Sequence, residues 1–140
     1  MEELAKVLKR QRQKRSKYRL LVISTEICLL LLGLNRTQKI LTLFSKKWHE
    51  NDPIPLDHLL TIFNQIRNHH FLKGKCLSQS LALQLILRRS GYETALKIGG
   101  KKDDKVGIAL HAWLEMEGKP LNDHGYVVAE YTPFSPFNIA

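Results

Sequence analysis

Cys76 stands in the stretch Gly74-Lys75-Cys76-Leu77-Ser78-Gln79-Ser80-Leu81, which reads as the start of a helix with a thiol on its first turn. The N-terminal end of a helix carries partial positive charge, and neighbouring cations such as Lys73 and Lys75 act in the same sense. Both favour a thiolate over a thiol. Further along, His111 falls on an alternating segment and Asp123 follows twelve residues after it. Thiol, imidazole and carboxylate in that order are the parts of thiol acyl transfer: a nucleophile, a general base and acid, and a group that orients the ring. The thiolate attacks an amide carbonyl, the imidazolium protonates the leaving amine, and water activated by the same ring releases the acyl group.

The second half of this constellation rests on a hairpin. Residues 106–117 alternate, with Ile108, Leu110, Ala112, Leu114 and Met116 on one face and Ala109, His111, Trp113, Glu115 and Glu117 on the other. Gly118-Lys119-Pro120 turns the chain, and 121–128 reads as the returning strand. In a hairpin turning at 117–119, Asp123 falls opposite His111 or one diagonal step away, within reach of cross-strand pairing. A register shifted by one residue offers His124 instead. Asp123 is preferred, because a carboxylate fixes the imidazole tautomer and stabilises the imidazolium.

The first half rests on a run of helices. Residues 3–17 are a mostly charged helix candidate, and 18–34 repeat Leu20, Ile23, Ile27, Leu30, Leu31 and Leu34 at helical spacing. Leu21, Cys28, Leu29 and Leu32 widen that apolar face, so the helix needs cover on most of its circumference. That cover is packing first, then a partner surface, then membrane contact. A second helix is expected over 36–48, a proline-marked break at 51–55, and a third helix over 56–68. The cysteine helix then spans 76–90, with Arg88 and Arg89 at its negative end and Gly91 as its stop. Residues 92–98 read as a strand and 99–105 as a polar turn. Residues 129–140 read as an ordered tail lying across the domain. The fold class is therefore α+β, helices first and a small antiparallel sheet after.

Composition bounds the partners. The net charge is +9, but residues 1–20 alone carry +6, so the basicity belongs to the N-terminal segment rather than to the domain. Such a segment suits an acidic protein, an anionic membrane surface or RNA. Two cysteines, Cys28 and Cys76, are too few for a disulfide framework. The apolar run of 20–34 is interrupted by Ser24, Thr25 and Glu26 and falls short of the ~20 apolar residues of a membrane span. No small-residue cleavage site follows it. A cytoplasmic location is expected, with membrane contact and nucleic-acid binding not expected. His49, His69, His70 and Cys76 match no zinc spacing, so neither metal nor cofactor is expected.

From about Leu72 to Asp123 the chain resembles the transglutaminase-like cysteine peptidases of lasso-peptide biosynthesis. The residues that carry the resemblance are Cys76-Leu77 with Ser80-Leu81-Ala82-Leu83, Leu87-Arg88-Arg89 with Gly91, and Lys97-Ile98-Gly99. His111-Ala112-Trp113-Leu114-Glu115 and Gly118, Pro120-Leu121-Asn122-Asp123 complete it. The resemblance implies a papain/transglutaminase-like core over 51–140, with the nucleophile helix packed on a small antiparallel sheet. Residues 1–50 would then serve packing or partner docking. It implies Cys76, His111 and Asp123 as the triad. It also implies a stand-alone leader peptidase that removes the leader peptide from a ribosomally made lasso precursor. A separate leader-recognition protein, a RiPP recognition element, would present the substrate, and a lasso cyclase would use ATP to take the core peptide onward.

Two other readings accommodate the same residues. The triad could pass its acyl group to an amine, as transglutaminases do, or the basic and apolar helices could be the working surfaces of a non-enzymatic binding module. For the oxyanion, the backbone N–H of Cys76 is one donor by geometry, with Gln65, His70 and Gln79 as side-chain candidates. Trp113 shares the face of His111, where it either shields a site or fills a core.

Overall fold

The computed structural model describes residues 1–47, 54–67, 76–121 and 125–134. Helix α1 (Glu2–Lys47) leads to α2 (Leu56–Arg67) and α3 (Cys76–Arg89). Strands β1 (Ala95–Asp103), β2 (Gly107–Met116) and β3 (Lys119–Pro120) follow, then the single turn of α4 (Gly125–Val128) and β4 (Thr132–Pro133). All four strands form one antiparallel sheet in the order β3-β2-β1-β4. The architecture is α+β, helices covering a small curled sheet, as the sequence leads one to expect.

Two of the expected helices, 3–17 and 18–34, are continuous in α1. The break falls at Gly33, whose φ of 78° and ψ of 174° are not helical. That region of backbone space is open essentially to glycine alone. Thr37, fully buried, donates its hydroxyl to the Gly33 carbonyl at 2.8 Å, tying the next turn back to the break. Helix α3 ends as its sequence specifies. Gly91 takes a φ of 88°, its N–H bonds the Arg88 carbonyl at 3.1 Å, and the Tyr92 N–H bonds the Leu87 carbonyl at 2.9 Å. That paired closure is what a glycine just past a helix end permits.

Tyr18 and Val22 from α1, Leu59 and Phe63 from α2, and Leu81, Ala82, Leu83, Ile86 and Leu87 from α3 form one buried cluster. Leu96, Ala112 and Leu114 close it from one face of the sheet. Helix α3 is thus the centre of the domain, buried from Ser80 through Leu87. Two polar bonds one turn apart hold it: Ser80 to Ala112 of β2, and Gln84 Nε2 to the Thr94 carbonyl, just ahead of β1, at 3.2 Å.

The sheet departs from expectation in two places. Residues 99–103 are not a loop but the second half of β1, and the turn is confined to 104–106. Asp103 makes that turn by accepting the Lys105 and Val106 N–H groups at 2.8 and 3.1 Å, and these two bonds hold its carboxyl below the usual range. The return from β2 is shorter than expected. Glu117 (φ 53°) and Gly118 (φ 76°) make a two-residue turn, β3 covers only Lys119–Pro120, and 125–128 is helical. Consecutive positive φ values match the twist of a hairpin, and glycine at the second position makes that turn inexpensive.

Gly33→Ala tests the break in α1. Open space surrounds the position, so the cost is backbone strain alone, about 1–3 kcal/mol. Urea unfolding should show that loss; an unchanged midpoint would mean that the chain does not turn at Gly33.

Candidate active site

Cys76 is the first residue of α3, half-buried against the core with its thiol free. What fixes its place is the next turn of the same helix. Cys76 and Ser80 are four residues apart, about 6 Å along the axis and on one side of α3. The Ser80 hydroxyl, fully buried, donates to the Ala112 carbonyl at 3.2 Å.

That bond also says where α3 meets the sheet. Carbonyls two residues apart on a strand point to the same edge. The Leu114 carbonyl accepts the Leu121 N–H at 2.9 Å, on the β3 side of β2. Ala112 therefore faces the same edge, beyond the described end of β3, and there α3 supplies the donor. The start of α3 lies along that edge of β2. His111 is the residue next to Ala112; its side chain lies with Trp113 on the opposite face of β2 from the Ala112 and Leu114 side chains that pack on α3.

The imidazole belongs to a cluster of three rings. His111 stacks on Trp113 with centroids 6.0 Å apart and planes at 22°, and meets Tyr131 in a tilted contact at 5.0 Å and 34°. Tyr131 also meets Trp113 at 6.5 Å. Trp113 is fully buried, and its indole N–H donates to Glu115 Oε1 at 2.9 Å. Trp113 is thus a buried packing residue that also contacts the His111 ring.

Gly99 makes this packing possible. It pairs with His111 across the β1–β2 ladder, and a Cβ there would lie 2.9 Å from the Thr132 carbonyl oxygen and 3.0 Å from Trp113 Cη2. The missing side chain lets β4 close on one side of β1 and the indole lie flat on its face. Lys101 completes the support. Its Nζ bonds Glu130 Oε2 at 2.8 Å and sits 4.9 Å over the Tyr131 ring, and the Glu130 bond holds its pKa above the ordinary lysine value. The segment 130–133 is thereby strapped across the histidine.

Asp123 lies outside the described residues, as do Lys73, Lys75, His49, His69, His70 and His124. Gln79 is half-buried on the first turn of α3, whereas Gln65 is exposed on α2. Tyr131, Gly99 and Ser80 are the positioning residues that sequence reasoning missed. Ser80 had a legible signal, a serine one turn after the cysteine on an otherwise apolar helix face; Tyr131 had none, because it reaches His111 only through the pairing of β4. A cavity of about 350 Å³ between Leu21, Cys28, Ile40, Leu41, Phe44 and Leu85 lies roughly 13 Å along α3 from Cys76 and takes no part in this arrangement.

Residues 21–136 match the pattern of the transglutaminase-like superfamily. The chain belongs to that superfamily. No curated protein and no solved structure matches the chain. Enzymes of the transglutaminase-like superfamily are typically cysteine peptidases or acyltransferases. A half-buried cysteine opening a helix, and a histidine on a strand that this helix bonds through Ser80, fit chemistry of that kind.

Ser80→Ala leaves the buried Ala112 carbonyl without its donor from α3. The expected cost is about 1–3 kcal/mol, read as a lower urea midpoint. A variant as stable as the parent would show that the helix is not held to β2 by this bond.

Proposed function

We propose that this protein is a cysteine peptidase that hydrolyses the leader peptide from a ribosomally made lasso-peptide precursor. The reading is supported above all by the junction of α3 with β2, where the Ser80–Ala112 bond draws the Cys76 end of the helix to the strand that carries His111. Membership of a superfamily of cysteine peptidases and acyltransferases supports it independently.

In this mechanism the Cys76 thiolate attacks the carbonyl carbon of the leader–core amide. The tetrahedral oxyanion is met by the N–H of Cys76, with Gln79 as a side-chain candidate one helical turn on. His111 protonates the departing amine, and the core peptide leaves with a free N-terminus. Water then gives a proton to His111 and its hydroxide to the thioester, releasing the leader and restoring the thiol. Asp123 is assigned to orient the imidazole and stabilise its charged form.

Substrate recognition is assigned to a separate leader-recognition protein, and the next step to an ATP-using lasso cyclase. The protein is placed in the cytoplasm.

The test is precursor processing in the presence of the recognition protein, followed by mass spectrometry. Cys76→Ala and His111→Ala should fold, with an unchanged melting transition, and lose roughly a thousandfold or more in leader release. Free leader and free core are the products expected. Processing retained by Cys76→Ala would overturn the assignment, and a new amide joining the acyl group to an added amine would make the enzyme an acyltransferase instead.

A further inference from the structure

Helix α1 is apolar on two opposite sides, and only one of them is covered. Tyr18, Val22 and Thr25 face the domain and are buried. On the far side Leu20, Ile23, Ile27, Leu30 and Leu31 are exposed, Leu30 and Leu31 by 71% and 77%. Steps of three and four residues join Leu20, Ile23, Ile27 and Leu30 into one stripe. The same stepping continues toward the N-terminus through Ser16 to Arg12 and Lys9, both exposed. One face of the helix therefore runs about 32 Å, basic over its first part and apolar over the rest.

We propose that this face lies on an anionic membrane surface, the apolar stripe entering the boundary of the acyl chains and the basic part meeting lipid phosphates. Against the expectation from the interrupted run of 20–34, the continuous α1 is by length and composition able to cross a bilayer, because the helix runs on past both ends of that run. Its packing forbids that arrangement, because Tyr18 and Val22 are fixed in the core of the domain and Gly33 breaks the helix soon after the stripe. A helix held along one side and apolar along the other can lie in the interface but cannot be surrounded by lipid. Charge selects the occupant. Residues 1–20 carry a net +6, which repels the same segment of a second copy and attracts an anionic surface.

The test is flotation of the full chain with vesicles of phosphatidylcholine and phosphatidylglycerol, against phosphatidylcholine alone. Binding should require the anionic lipid and weaken with salt. The double variants Leu30→Gln/Leu31→Gln and Lys9→Glu/Arg12→Glu should each weaken it on the order of tenfold or more, with unchanged melting. Flotation absent, equal on both vesicles or indifferent to both variants overturns the proposal. So does a dimer that Leu30→Gln/Leu31→Gln dissociates while vesicle binding persists, or binding confined to a soluble acidic protein.

Discussion

The hydrogen bond from Ser80 to the Ala112 carbonyl is the joint on which the site depends. It is buried, it links residues 32 apart in sequence, and it is made on the β3 side of β2, past the described end of β3. An unpaired strand carbonyl inside a core costs free energy, and among the described residues Ser80 on α3 is the side chain that meets this one. Serine is small enough to let the helix approach. The same bond that completes the sheet edge sets how far Cys76 stands from the strand of His111, so fold stability and site geometry are one constraint.

Around that joint the imidazole is fixed from the other side. Trp113 and Tyr131 hold the ring, Gly99 leaves them room, and the Lys101–Glu130 pair ties the segment of Tyr131 to β1. An exposed ion pair contributes little to stability by itself. Its role here is to hold a strap in place over the histidine, together with the Phe134 N–H bonded to the Ile98 carbonyl at 2.9 Å.

Local signals in the sequence were sufficient for much of this. The helix starting at Cys76 and stopping before Gly91 is where composition and capping put it, and the alternation around His111 is a strand. Both follow from forces acting within a few residues. The failures are non-local. Gly99-Gly100 reads as the end of the strand before it, because the continuation of β1 through them is decided by pairing to β2 and β4. The shortness of β3 could not be read from an alternating stretch, and the contact of Tyr131 with His111 arises from a strand pairing of two residues. The apolar richness of α1 was legible, but not which of its sides the domain covers.

The central claim is that Cys76 and His111 act as one unit. Alkylation by iodoacetamide in a Cys28→Ser background tests it most directly, since Cys28 is the only other thiol in the chain. The account predicts that Cys76 reacts at neutral pH on the order of tenfold or more faster in the parent than in the His111→Ala variant, because the imidazole takes the thiol proton. Equal rates in the two proteins across the pH range would contradict it.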